Sequence, residues 1–376
     1  MILLALPALA AAAYYLLALI AAATWRRGAS PNAGFTPLIS ILKPVHGRDP
    51  RFYEAILSHA VQDYPQFEIL FGVSDPRDPA IADIDRLRRE FPRLPIELHV
   101  VSTAAPNVKA GVLAALSAHA RHPVLLINDS DIKVDPGYLR TVAAPLADPK
   151  IGLVTCLYRA AAESLPTRAE ALGIATEFAP SVLVARLLGV AEFALGSTMV
   201  LRAETLRQIG GFEAISSYLA DDYQLGRHIS VRGYRILFAP SVVETNLGRG
   251  SWAQVWRHQL RWSRTIRVSR ASGYYGYVVT HATLWALVAC AAGQYWAGAA
   301  ALILRILAGV WIGAGILRDR NAALFFWLIP LRDLFGFAVW LGGLEGDTVD
   351  WRGQSLQLHP DGKIRKHNNL DHKSQP

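Results

Sequence analysis

Leu125-Leu126-Ile127-Asn128-Asp129-Ser130-Asp131 is the stretch on which the reading of this chain turns. Residues 124–128 form a short apolar run with the length of a buried strand. The run ends in two carboxylates placed two residues apart. Similar β-rich runs lie at 37–42, 67–73, 96–101 and 151–157, with helical stretches between them. Asp49-Pro50 and Asp78-Pro79 each place a capping acid before a proline suited to a first helical turn. This alternation predicts an α/β fold with a largely parallel sheet. Such sheets bind ligands beyond the carboxyl ends of their strands. Asp75 follows one strand as Asp129 and Asp131 follow another, so all three acids are expected at one edge.

The acids suggest chemistry on a diphosphate. Asp129 and Asp131 are able to converge on one hard cation, and all-oxygen ligation suits Mg2+ or Mn2+. Asp75 is placed to accept hydrogen bonds from a base or ribose. Lys109, at the start of a helix-like run between the two acidic sites, is placed to contact a nucleotide. Asp221-Asp222 lies in an apolar and aromatic setting, where adjacent acids raise each other's proton affinity. Asp222 is the expected base, with Asp221 in support. Further on, His258-Gln259-Leu260-Arg261-Trp262 offers Arg261 to a diphosphate and Trp262 to a ring or an acceptor mouth. Gln259 and His258 are candidates for acceptor contact or support.

The ends of the chain point to a bilayer. Of 376 residues, 52% are hydrophobic, and these concentrate at the two ends. Residues 1–24 carry no charge and are long enough to span about 30 Å of hydrocarbon. Trp25-Arg26-Arg27 then marks a cytoplasmic edge. The leading run is too long, and too poor in basic residues at its start, for a cleaved signal peptide. Residues 251–272 mix aromatic residues with arginines, the composition of amphipathic helices at headgroup level. Three apolar stretches follow at 277–294, 297–317 and 322–344, with Arg305 and Arg332-Asp333 inside them. The expected order is an anchor at 1–25, a catalytic domain at 36–250 and interfacial helices at 251–275. A membrane region at 276–344, with two or three spans, and a basic tail at 345–376 complete it. The net charge of +8 is scattered and accompanies no nucleic-acid motif, so no nucleic-acid partner is expected. Two cysteines, in a strand and in an apolar span, do not suggest a disulfide framework.

Taken in order, Asp75, Asp129-Ser130-Asp131, Asp222 and Arg261-Trp262 resemble family-two glycosyltransferases with the GT-A fold. Within them the chain is most similar to the ceramide glucosyltransferase group. The shared phrases are ISILKPVHGRDP, QDYPQFEILFGVSDPRDPA, NVKAGVL, INDSDIKV, GGF, YLADDYQLG, RHQLRWSRTIR and VDWRGQ, covering residues 39–354. The resemblance implies a UDP-sugar donor, a divalent metal at Asp129-Ser130-Asp131, inversion at the anomeric carbon, and a hydroxyl of a membrane lipid as acceptor; within the triplet, Asp131 is the expected main ligand. VTCLYRA and LADDYQLG also resemble the bacterial hopanoid-associated glycosyltransferases. That likeness implies an N-acetylglucosamine donor and a hopanoid acceptor in place of glucose and ceramide. The chain is expected to be an integral protein of the bacterial inner membrane with a cytoplasmic catalytic domain. A processive polysaccharide synthase and a lipid-binding scaffold are the competing readings. His258 departs from the family pattern, in which Gln or Arg usually opens the arginine box.

Overall fold

The computed structural model describes residues 2–25, 34–190 and 192–366. Arg26, Arg27 and Lys373 lie outside these residues. Seven strands form the central sheet: β1 (Ile39–Val45), β2 (Phe67–Val73), β3 (Ile96–Val100), β4 (Val124–Ile127), β5 (Ile151–Ala161), β6 (Met199–Arg202) and β7 (Arg235–Asn246). Their order is β3-β2-β1-β4-β6-β5-β7. Pairing is parallel except where β6 lies antiparallel between β4 and β5. The expected α/β class and mostly parallel sheet are therefore present.

Alternation along the strands buries both faces. Ile39, Ile41, Ile69, Phe71, Val124 and Leu126 pack on one side, among Phe52, Ile56, Ile84 and Tyr138. Leu42, Leu70, Leu125 and Ile127 pack on the other, against Leu113, Leu116 and Leu225. Gly72 lets the Val108–His119 helix come close, because a Cβ there would stand 2.5 Å from Val112 Cγ1. Strand order reverses beside β1, with β2 on one flank and β4 on the other. The end of β4 thus lies at a switch point, where such sheets open a crevice.

A second layer of helices packs against Leu6–Thr24. The helices Ala179–Leu187, Ala282–Ala291 and Tyr295–Val310 share one apolar cluster with it. Small residues fill the contacts, among them Ala8, Ala11, Ala18, Ala297, Ala301 and Ala308. Leu16, Ile20, Ile303, Leu307 and Trp311 face outward. Small inside and large apolar outside is the pattern of helices packed in lipid. Among the described residues, two helices are long and apolar enough to cross a membrane, Leu3–Thr24 and Tyr295–Ile316. The other two apolar stretches hold shorter helices, Ala282–Ala291 and Ile329–Gly343. Arg305, which needed a partner at this depth, has one: its Nη2 lies 2.6 Å from Asp333 Oδ1, and both side chains are buried.

Two sequence expectations are corrected. Asp49 does not cap the Phe52–Ala60 helix, whose N-cap residue is Arg51; its carboxylate accepts from the Ser130 hydroxyl instead. Asp78 is likewise not the N-cap of the Ile81–Glu90 helix, which is Ala80, but accepts from the Ala80 N–H at 2.9 Å. Residues 345–366 hold a small second sheet. Thr348–Trp351 (β8), Gln354–Leu358 (β9) and Ile364–Lys366 (β10) form an antiparallel sheet. Arg352 and Gly353, at φ +50° and +77°, make the two-residue turn between β8 and β9.

Candidate active site

The crevice at the end of β4 opens into a cavity of about 580 Å3. Asp129, Asp131, Lys109, Asp221, Asp222 and Arg261 all line it, with His258 and Trp262. A second cavity of about 280 Å3 adjoins it beyond β1 and β2, and shares Lys109, Asp129, Trp351 and Arg352 with the first. Asp75 lines neither. It stands exposed past β2, where its carboxylate accepts from the Arg77 backbone N–H at 2.8 Å. Its neighbour Ser74 lines the second cavity.

Lys109 is the hub. Its ammonium nitrogen lies 2.8 Å from Asp129 Oδ1 and 3.2 Å from Asp221 Oδ2. Burial opposes this charge, but Asp129 and Asp221 outweigh it and hold the ammonium above its ordinary range. Local structure places the group well. Asn107 caps the Val108–His119 helix by accepting from Ala110 N–H. Its amide also donates to the Tyr218 carbonyl at 2.8 Å, tying the helix to the loop that leads into Asp221.

Asp221 and Asp222 open the Asp221–Val231 helix and diverge. Asp222 Oδ2 accepts from the Gly196 N–H at 2.8 Å, and Oδ1 from the Tyr223 N–H at 2.7 Å. Burial pushes the Asp222 carboxyl up to about 6; Asp221 adds to the shift, and Lys109 opposes it. A Cβ on Gly196 would sit 3.3 Å from both Asp129 Oδ2 and Asp222 Oδ2. The backbone here is therefore the floor between the two carboxylates.

Asp131 accepts from the Thr245 hydroxyl, and from the Asn246 N–H at 3.3 Å, both near the end of β7. Burial raises its carboxyl to about 6, and the charge of Asp129 adds to the shift. Lys43, buried on β1, donates to the Asp129 carbonyl at 3.1 Å. Burial pushes that ammonium down to about 7 against the pull of Asp131, Asp129 and Asp49.

The other wall is the Trp252–Ser269 helix, capped by Ser251 and Gln254. The Arg261 guanidinium faces the cavity with no hydrogen-bond or ion-pair partner among the described residues. Burial, with Arg352 adding its like charge, lowers it to about 10. Trp262 lies against His258 and Phe178, at 4.8 and 6.4 Å between ring centroids. Gln259 does not line the cavity; it accepts from Arg332 at 2.8 Å and is a packing link. Arg264 and Arg267 donate to carbonyls of Glu345, Thr348, Leu344 and Gly346, just past the Ile329–Gly343 helix.

Sequence reasoning did not find Lys43, Glu170, Trp351 or Arg352. WRG was visible as a family phrase, and Arg-Gly is a turn signal, but neither told where the turn would dock. The cavity also reaches an apolar side formed by Ile174, Phe178, Val182, Ala185 and Phe193. Carboxylates at one end, free arginine at the wall and apolar lining at the other suit an anionic donor and an amphiphilic acceptor.

The sheet, with its site at the switch point, has the GT-A-like α/β fold. The mannosyltransferase PcManGT from Pyrobaculum calidifontis, solved with GDP-Man and Mn2+, shares the fold with a TM-score of 0.57 at 20% identity, over 91% of this chain and 97% of that one. Residues 2–364 match the model for glycosyl transferase family 21, and the chain belongs to that family. Ceramide glucosyltransferase 3 of Caenorhabditis elegans is 27% identical over 53% of this chain and 44% of its own length. Ceramide glucosyltransferase 1 of the same organism is 29% identical over 52% and 43%. The probable glycosyltransferase YdaM of Bacillus subtilis is 25% identical over 64% and 57%. The chain thus spans about half the length of the curated relatives it matches.

Proposed function

We propose that the protein moves a sugar, most simply glucose, from UDP to a hydroxyl of a ceramide-type membrane lipid, inverting the anomeric centre. The supporting observation is the single cavity in which Asp222 meets both the Lys109–Asp129 pair and an apolar lining. The acceptor oxygen attacks the anomeric carbon while its proton passes to Asp222 and the bond to the diphosphate breaks. UDP leaves with the bonding electrons. One base is enough for this inverting route. Arg261 and Arg352 face the leaving diphosphate, and the Arg352 turn joins the two cavities. The second cavity, beside Asp75, holds the nucleoside in this reading.

A divalent cation fits the acids. Asp129 and Asp131 are oxygen donors two residues apart, and burial together with the charge of Asp129 raises the proton affinity of Asp131. Asp131, with Asp129, would hold Mg2+ or Mn2+. When bound, the ion supplies neutralisation of the diphosphate.

The membrane arrangement follows from the tail. Trp351 and Arg352 line the same cavity as Asp129, so β8–β10 and the catalytic sheet share one side of the bilayer. The chain between them then crosses an even number of times. Between them Tyr295–Ile316 is the long helix and Ala282–Ala291 with the segment before it is the short return; Leu3–Thr24 precedes the sheet and is a separate crossing. The side that carries the sheet is the cytoplasm, most simply that of a bacterial inner membrane. A hopanoid acceptor with N-acetylglucosamine as the sugar is the second reading, supported by the same apolar lining. Membranes from an expressing host, incubated with labelled UDP-glucose or UDP-N-acetylglucosamine, test this function. Label should enter the lipid extract with the wild type and not with Asp222→Asn. Label confined to water-soluble products would reject it.

A further inference from the structure

His258 lines the larger cavity, and its surroundings give it a job. Its Nδ1 lies 2.5 Å from Glu170 Oε1, and the Glu170 side chain is only 3% exposed. A carboxylate accepts and does not donate, so Nδ1 carries the proton of this contact. In the neutral ring, Nε2 is then left with its lone pair. The His258 side chain is one-third exposed and lines the larger cavity, and Nε2 has no partner among the described residues. The ring is held from the side by Trp262 at 4.8 Å, and Trp262 in turn meets Phe178. Orientation by a buried acid on one nitrogen, with the other aimed into a cavity, is the arrangement that fixes an imidazole for one partner.

For the neutral ring that partner is a hydrogen-bond donor. A lone pair backed by the charge of Glu170 disfavours an anionic diphosphate oxygen and favours a hydroxyl. The neighbours agree. His258 stands against Trp262, which meets Phe178 on the apolar side of the cavity, and Lys109, Arg261 and Arg352 are the cations of the same cavity. The attacked hydroxyl gives its proton to Asp222, so the hydroxyl at His258 is another one on the same head.

Resting on the lipid-transferase reading above, we propose that His258, oriented by Glu170, binds a second hydroxyl of the acceptor head and selects acceptors that carry more than one. Without that hydroxyl, the Nε2 lone pair that a bound lipid head covers is left unpaired, which lowers kcat/KM by about 10- to 100-fold.

The test uses the full chain in lipid nanodiscs with two synthetic acceptors of equal chain length. One head carries two neighbouring hydroxyls and the other carries one. The wild type should prefer the diol about 10- to 100-fold in kcat/KM. His258→Phe should erase that preference by losing rate on the diol alone, with UDP affinity kept. His258→Gln, whose amide oxygen accepts, should restore part of it, and Glu170→Gln should weaken it. A wild type that glycosylates both lipids equally overturns this inference and leaves the transferase reading standing. Equal losses on both acceptors in His258→Phe and His258→Gln, or lost UDP affinity with the preference intact, also overturn it. A wild type that glycosylates neither lipid removes the reading on which it rests.

Discussion

Asp221 gives its carboxylate to Lys109, with 3.2 Å between Oδ2 and the ammonium nitrogen, while Asp222 beside it turns to the Gly196 N–H. Two adjacent acids thus have separate tasks. Asp221 fixes Lys109, and Asp222 keeps an oxygen in the cavity. Asp222→Asn should lower turnover by about 10²–10⁴-fold, the range for a lost general base, with donor affinity little changed. Asp221→Asn should cost less turnover and more donor affinity, because Lys109 loses a partner. Steady-state rates and UDP titration of the two variants check the division; near-normal turnover in Asp222→Asn would refute it.

The acidic limb of the pH profile should follow Asp222. The active base is the ionised form, and burial raises its carboxyl to about 6. Activity is then full above that value and lost as pH falls through it. At pH 5 roughly a tenth of the base remains. The kcat/KM profile measures this directly. An acidic limb near 4 would show a carboxylate of ordinary affinity and exclude this environment for the base.

Gly196 separates Asp129 from Asp222, and a methyl group there would stand 3.3 Å from an oxygen of each. Contacts that close require the carboxylates to give way by a few tenths of an ångström. Gly196→Ala should therefore reduce turnover by about 10- to 100-fold through misplacement, with the fold retained. Unfolding temperature and rate measured on the same preparation separate the two effects. Unchanged turnover would place the reacting atoms elsewhere.

Asp131 is predicted to carry the metal dependence. Asp131→Ala should abolish the gain in UDP affinity on adding Mg2+ or Mn2+, while metal-free UDP affinity stays within a few fold. Isothermal titration with and without metal reads both. Full turnover of the wild type in excess chelator would contradict the assignment.

Arg305 and Asp333 are a buried pair among apolar helices. Asp333→Ala leaves Arg305 uncompensated and should cost about 3–5 kcal/mol of stability. Replacing both by leucine should recover much of that loss. Thermal unfolding in detergent compares the variants; a neutral Asp333→Ala would mean that water or lipid already serves Arg305.

The parts legible in the sequence are those set by local pattern. The apolar run ending in Asp129 declared both its strand and its edge, and the parallel alternation placed Asp131 beside it. Asp222 and Arg261 were legible as motif residues and meet in one cavity. Asp75 shares their sheet edge but lies outside both cavities, since a strand end fixes an edge and not the direction of a side chain. β6 is only four residues long and owes its place to antiparallel pairing with β4 and β5, distant in sequence. Glu170 reads as an ordinary helical acid until folding sets it against His258, 88 residues away. The β8–β9 turn is visible as Arg-Gly, but its docking over the cavity depends on contacts with His46 and the catalytic wall.

The most direct measurement is the mass and anomeric configuration of the lipid formed by purified protein from isotopically labelled UDP-glucose, with UDP-N-acetylglucosamine run in parallel. The account predicts one sugar per lipid, attached through a lipid hydroxyl with configuration opposite to that in the donor. A polymer, a retained configuration, or no lipid-linked sugar from either donor would contradict it.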